Sequence, residues 1–296
     1  MPMSKKPGKN KKYHQDQELT ELRSLLHSNR FVPKKRLGQT FLFKHYIAKE
    51  IISLADIKQH EIVVEIGAGL GVLTRFLAER AAQVVALEYD TALVTILKKN
   101  ITCKNVDIIR ADALHYDYDR LYDTYKTKLK IIGNLPYYIA SPLIFKLLQL
   151  KFIVSGVTIM LQKEVADRIV SPPHSKNYGT ISIFSQLYFD ISKQLTVTKD
   201  CFYPVPKVDS EVVNFLVRDI PLVKIDDEMF FEKVVRSCFS SRRKTLLNSF
   251  KEAHYFNRDK QKILDAFQRS GIDHQRRPET LTISEFNTLC HHLISD

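Results

Sequence analysis

Cysteine is scarce in this 296-residue chain: Cys103, Cys201, Cys238 and Cys290 are scattered, and no two stand in a C-x-x-C spacing. That argues against a disulfide framework or a zinc site, and the four read as reduced thiols of a cytoplasmic protein. His291-His292 is the only adjacent histidine pair, and no metal is expected. No apolar run approaches the roughly 20 residues that span a bilayer, and the N-terminus lacks an apolar signal core. Acidic residues are absent from positions 1–15, where Lys5, Lys6, Lys9, Lys11 and Lys12 stand with two prolines and a glycine. That stretch reads as a disordered basic arm, and no other low-complexity segment or internal repeat is evident.

What is present is a basic surplus, a formal net charge of +12, on a chain that is 44% hydrophobic. The apolar content suffices for one large core and a smaller module. The charge points to a polyanionic partner bound in a salt-dependent way, although a membrane surface would attract it too.

Glycine is also sparse, yet three of the nine glycines fall together at Gly67, Gly69 and Gly71. They follow the β-branched run Glu61 to Ile66 and precede an amphipathic stretch carrying Leu70, Leu73, Thr74, Leu77 and Ala78. A strand entering glycines and then a helix reads as a nucleotide-binding turn, since backbone without Cβ atoms can approach a ligand closely. The spacing is Glu-x-Gly-x-Gly-x-Gly, which departs from the dinucleotide pattern and keeps an acid before the first glycine. The next apolar run ends in Glu88, where a carboxylate can accept from ribose hydroxyls. A third leads to Asp112, which can accept from an adenine amine. A fourth, Leu129 to Ile132, leads into Asn134-Leu135-Pro136-Tyr137.

In that tetrad the Asn134 side-chain oxygen and the Leu135 carbonyl can accept both hydrogens of a planar amine, and Tyr137 offers a face for the base that carries it. Taken alone, the tetrapeptide is a strand exit with turn residues, and each acid is a solvated strand end. Taken together, four strand ends bearing suitable groups resemble an S-adenosylmethionine-dependent methyltransferase of the Rossmann-like class.

Five segments in chain order narrow the resemblance: 35–42 (KRLGQTFL), the glycine turn, the tetrad, 160–165 (MLQKEV) and 202–210 (FYPVPKVDS), and the tail segment 241–245 (SRRKT) fits too. From about Pro33 to Phe250 the chain resembles the KsgA/RsmA family of small-subunit ribosomal RNA adenine dimethyltransferases. The resemblance implies dimethylation of N6 on two adjacent adenosines in a hairpin loop near the 3′ end of 16S-type rRNA, within an immature 30S-type subunit. It implies S-adenosylmethionine as methyl donor, flanked by Gln39, Thr40 and Leu42, cradled by Gly67 and Gly69, held at the ribose by Glu88 and at the adenine by Asp112. Asn134 would stand between donor and substrate, with Leu135 beside it, and Tyr137 and Phe202 would sandwich the target base. Thr40, Tyr138 and Ala140 depart from the family's usual Asn, Asn and hydroxyl residue. Two other readings share these motifs: an Erm-type methyltransferase acting on large-subunit rRNA, and an assembly checkpoint factor that acts by binding.

The expected fold is α/β: a Rossmann-like class I methyltransferase with a mainly parallel seven-stranded sheet and a small C-terminal all-helical domain. Strands are expected near 62–66, 84–88, 106–109, 129–133 and 157–161, with a terminal hairpin from 184–190 and 211–217. Helical spacing is read over Glu18–His27, Glu228–Phe239, Arg243–Phe250, Asp259–Arg269 and Ile283–Leu293. These give a basic, partly disordered arm (1–33), a catalytic domain (34–220) and a helical RNA-binding domain (221–296), in a monomer. Lys34, Lys35 and Arg36, and on the helical domain Arg242, Arg243 and Lys244, are the expected phosphate contacts.

Overall fold

The structure, a computed structural model, describes residues 9–136, 139–241, 243–252 and 260–294, with the side chains of 9–16, 251–252 and 260 excepted. Its first half contains α1 (Lys9–Ser28), β1 (Phe41–Leu42), α2 (His45–Leu54), β2 (Ile62–Ile66), α3 (Val72–Ala78), β3 (Gln83–Glu88), α4 (Thr91–Asn100), β4 (Val106–Arg110), α5 (Tyr118–Tyr125), β5 (Leu129–Asn134) and α6 (Ala140–Gln149). There follow β6 (Val154–Gln162), α7 (Lys163–Ile169), α8 (Thr180–Tyr188), β7 (Phe189–Val197), β8 (Phe202–Tyr203), β9 (Ser210–Val217), α9 (Glu228–Cys238), α10 (Leu246–Glu252), α11 (Lys260–Ser270) and α12 (Ile283–Ile294).

Seven strands form one sheet in the order β4-β3-β2-β5-β6-β9-β7, and β1 and β8 form a separate antiparallel pair. β2 lies parallel to both β3 and β5, β3 to β4, and β5 to β6. The first five expected strands are present within a few residues; the apolar runs of β2, β3, β5 and β6 are largely buried and suit a sheet covered on both faces, while β4 at the sheet edge has no buried residue. All five residues of β2 are buried. Successive strands run outward from β2 to β4, and the chain then returns to place β5 on the other side of β2. That reversal opens a crevice at the strands' carboxyl ends, where open α/β sheets bind ligands.

The expected strand at 184–190 is corrected. Residues 180–188 are helix α8, and the strand is β7, from Phe189 to Val197. Ile181, Ser182, Ile183, Phe184, Ser185, Leu187 and Tyr188 are all buried. A helix buried on every side has no polar stripe to reveal its period, so its apolar run passes for a strand.

By contacts the chain divides into unit 1, Met1–Lys163 with Ser192–Phe215, and unit 2, Glu164–Ile191 with Leu216–Asp296. This division differs from the expected boundary at 220, since α8 groups with the C-terminal helices. It also draws α1 into unit 1. The helix expected over Glu18–His27 begins at Lys9, and its Leu22 and Leu26 are buried against Phe31, Phe41, Phe43, Leu70, Leu93 and Ile96. Residues 1–8 of the expected arm lie outside the described residues.

In unit 1, a second apolar cluster joins Ile51, Val63, Leu77, Val84, Ile132 and Met160 between sheet and helices. Unit 2 has its own core: Phe231, Val234, Phe250, Phe267, Phe286 and Leu289 are all at most 2% exposed. Arg276 fastens its last turn by bonding Glu285 at 2.6 Å and the Thr280 carbonyl at 2.7 Å. α9 and α12 match their expected spans closely, while α10 starts at Leu246 rather than Arg243. The expected start of α11 at Asp259 lies outside the described residues. Among the described residues no helix is long and apolar enough to cross a membrane.

Gly133 marks the tightest point of the sheet. A Cβ there would lie 2.5 Å from the backbone oxygen of Ile66 on the neighbouring strand. Gly133→Ala is therefore expected to lower unfolding stability by about 1–3 kcal/mol, read as a reduced denaturant midpoint; a midpoint equal to the parent's would contradict this packing.

Candidate active site at the carboxyl ends of the parallel strands

The crevice holds a cavity of about 240 Å3 in unit 1, walled by residues 37–41, the turn after β2, the ends of β3 and β4 and the end of β5. Gln39, Thr40, Gly67, Gly69, Glu88, Asp112, Asn134 and Leu135 all line it. Eight residues scattered over nearly a hundred positions of sequence thus meet at one opening.

The turn after β2 owes its shape to the strand beside it. The N–H groups of Gly67 and Ala68 both donate to the Leu87 carbonyl, at 2.9 and 3.2 Å. Gly67 has φ +76°, and a Cβ on it would lie 3.3 Å from the Asn134 backbone oxygen. The glycine therefore serves both the turn and the close approach to the tetrad.

Glu88 is 7% exposed on the cavity wall, and each of its carboxylate oxygens accepts a backbone hydrogen bond. Gly69 N–H donates to Oε2 at 2.9 Å and Asp90 N–H to Oε1 at 2.8 Å. Burial raises its carboxyl above the ordinary range, and these backbone bonds counter that shift. Each oxygen retains a lone pair, so a diol can still donate to it.

Asp112 is occupied as well. Its Oδ1 accepts from Leu114 N–H at 2.9 Å, and its Oδ2 lies 3.0 Å from His115 Nδ1. At the end of β5 Asn134 lines the cavity, and its carboxamide bonds no described residue, while Leu135 N–H is fixed to the Met160 carbonyl at 2.9 Å. Tyr137 and Tyr138 lie outside the described residues.

Two expected cofactor or base contacts stand elsewhere. Leu42 is 4% exposed and Phe202 1% exposed, packed together in the apolar cluster beneath the sheet rather than on the cavity. The reason is pairing: Leu42 faces Phe202 across β1 and β8, and both point inward. Tyr203, the next residue, turns outward, with the Arg23 guanidinium 5.1 Å above its ring.

The expected phosphate contacts also separate. Lys35 and Arg36 are exposed on the segment beside the cavity. Lys34 is instead ion-paired, its Nζ 2.7 Å from Asp90 Oδ2. In unit 2 Arg243 is exposed and Lys244 half-buried, while Arg242 lies outside the described residues.

Sequence reasoning noted Glu65 only as the acid before the first glycine, without a role, and passed over Tyr89 and Asp90. Tyr89 follows Glu88 and presents a half-exposed ring to the cavity, a position its place after a strand-end acid could have flagged. Glu65 is 1% exposed and accepts from the Thr74 hydroxyl at 2.6 Å, tying the end of β2 to α3 beneath the glycine turn. No local sequence signal distinguishes a buried acid of this kind from a solvated one. Among the described residues no cluster of His, Cys, Asp and Glu forms a metal site.

A family model described as ribosomal RNA adenine dimethylase matches residues 30–294. The chain is 42% identical over 277 residues to the ribosomal RNA small subunit methyltransferase A of Syntrophus aciditrophicus (strain SB), covering 93% of this chain and 99% of that one. It is 41% identical over 268 residues to the protein of the same name from Clostridium botulinum (strain Loch Maree / Type A3), covering 90% and 96%. Among solved structures it resembles a dimethyladenosine transferase from Plasmodium falciparum, with a TM-score of 0.70 and 28% identity over 82% of this chain and 94% of that one. The 23S rRNA methyltransferase ErmE gives a TM-score of 0.63 at 23% identity, covering 86% and 99%, a likeness of fold alone.

Burial, opposed by the Thr74 bond and reinforced by the charge of Glu88, pushes the Glu65 carboxyl up from 4.5 to about 7. The folded protein therefore holds this proton more tightly than the unfolded chain does. Its contribution is full below pH 4.5 and is lost as pH rises towards 7. Relative to Glu65→Gln, the parent should lose on the order of 3 kcal/mol of stability across that window; parallel pH–stability curves for the two proteins would contradict it.

Proposed function

The chain belongs to the ribosomal RNA adenine dimethylase family, and from that premise we propose that it dimethylates N6 of two adjacent adenosines in a small-subunit rRNA hairpin loop, using S-adenosylmethionine. The observation that carries this reading is the convergence of Glu88, Asp112, Gly67 and Asn134 on one cavity.

The residues fit the donor. Glu88 would accept from the ribose hydroxyls through its free lone pairs, Gly69 leaves room for close approach, and Asp112 and Tyr89 flank the place where an adenine ring fits. When bound, S-adenosylmethionine supplies an electrophilic methyl group on a sulfonium. Asn134 Oδ1 and the Leu135 carbonyl would accept the two N6 hydrogens and leave the nitrogen lone pair directed at that methyl. Attack then needs alignment more than a base, because the nucleophile is neutral and its proton can leave afterwards. As positive charge grows on N6, the same two acceptors stabilise it in a site shielded from water. A loop suits this pocket better than a duplex, since the target base must leave its stack to enter.

Lys35 and Arg36 beside the opening, and Arg243 on unit 2, are proposed phosphate contacts, in keeping with the net charge of +12. The readings from sequence as a large-subunit enzyme and as a binding-only assembly factor are separated by the same assay. Incubation of unmethylated small and large subunits with labelled donor, followed by mass analysis of the rRNA, should find dimethyladenosine only in the small subunit. Label confined to the large subunit, or binding without transfer, would overturn the proposal.

Asn134→Ala should lower kcat about a hundredfold or more while leaving donor affinity near normal. Glu88→Ala should instead weaken donor binding roughly tenfold to a hundredfold. Titration calorimetry and single-turnover kinetics distinguish the two, and full turnover in Asn134→Ala would sink the assigned role.

A further inference from the structure

Asp90 lies outside the cavity lining, yet it joins two of the cavity's walls. It is 5% exposed at the N-cap of α4. Its Oδ1 accepts from Ala92 N–H at 3.0 Å, the ordinary capping bond. Its Oδ2 points the other way and accepts from Lys34 Nζ at 2.7 Å and Gln39 Nε2 at 2.9 Å. Gln39 Oε1 in turn accepts from Lys34 N–H at 2.8 Å. The segment from Lys34 to Gln39 is thereby closed into a ring and fastened to the turn after β3, while Asp90's own N–H grips Glu88.

This fastening matters because the segment has little else to fix it. Between Lys34 and Thr40 it contains a single 3-10 turn, Lys35–Leu37, ended by Gly38 at φ +59°, and none of the three turn residues is buried. Leu37, Gly38, Gln39 and Thr40 nonetheless form one wall of the cavity. Beyond them the chain is anchored at Phe41, by its place in the cluster with Leu22, Leu26, Phe31 and Leu70 and by its pairing with Tyr203 across β1 and β8. The polar side of the segment therefore rests on Asp90. Gln39 bonds into this ring through both ends of its amide, which fixes the wall it belongs to.

We propose that Asp90, through Lys34 and Gln39, is a positioning residue that sets the 37–40 wall against the methyl donor and holds Glu88 in register with it. This deepens the reading of the cavity as the donor site and rests on it. Burial alone would raise the Asp90 carboxyl, but the hydrogen bonds from Lys34, Gln39 and Ala92 together outweigh it and hold the group below the usual range.

Asp90→Asn separates the clamp from the cap. Asn caps a helix as well as Asp does, so α4 keeps its first bond. The new amide nitrogen, however, meets two donors, Lys34 Nζ and Gln39 Nε2. Adding Gln39→Glu restores the link with donor and acceptor exchanged, because one glutamate oxygen can accept from the Asn amide and the other from Lys34 N–H. The test is calorimetric binding of S-adenosylhomocysteine, alongside KM for the donor and kcat on small subunits. D90N should weaken binding and raise donor KM about tenfold, with kcat at saturating donor changed less than about twofold and the thermal midpoint within a few degrees of the parent. D90N/Q39E should recover most of the lost affinity. Equal binding by parent and D90N, or no recovery in the double variant, overturns the clamp. Failure of the parent itself to bind would instead take down the donor reading beneath it.

Discussion

Two backbone N–H groups, those of Gly69 and Asp90, hold the Glu88 carboxylate at the end of β3, and the cavity takes its form from that grip. A carboxylate so deeply buried is costly unless it is hydrogen-bonded. Here the donors come from two different turns, so satisfying Glu88 also fixes where those turns lie. The turn after β2 brings the glycines, and the turn after β3 brings Tyr89 and Asp90. The acid thus serves as the keystone of its own surroundings.

The sheet supplies the rest of the geometry. Because β5 returns beside β2, Asn134 ends its strand within reach of the glycine turn, and Gly67 sits where any side chain would crowd the Asn134 carbonyl. Gly133, facing Ile66 across the same pair of strands, lets the two backbones approach without a side chain between them. The residues proposed for the donor, at the ends of β2, β3 and β4, and those proposed for the amine, at the end of β5, are therefore held by one run of parallel strands, which suits a reaction governed by alignment. The apolar packing of α1 and the β1–β8 pair then close the remaining side.

Much of this was legible in the sequence where the signal is local. Parallel strands announce themselves as apolar runs rich in β-branched residues, and Gly67, Gly69, Glu88, Asp112 and Asn134 each stand at or just after the end of one, so all five fell on the cavity. What could not be read depends on contacts distant in sequence. Lys34 looks like an exposed cation until Asp90 is brought to it by the fold, and Glu65 looks solvated until Thr74 covers it. Phe202 follows the family motif, but its strand partner Leu42 turns it inward. α8 escaped for a different reason: with apolar side chains on every face it shows no helical period. Arg242 and Tyr137, both prominent in the motif reading, lie outside the described residues.

Glu88 is the proposed meeting point of the two strand-end turns and the methyl donor. The most direct measurement is a crystal structure of the protein with S-adenosylhomocysteine. The account requires both ribose hydroxyls within about 3 Å of the Glu88 carboxylate, with Gly69 and Asp90 N–H still bonded to it and the sulfur facing Asn134. A ligand seated elsewhere, or one whose ribose leaves Glu88 untouched, would contradict it.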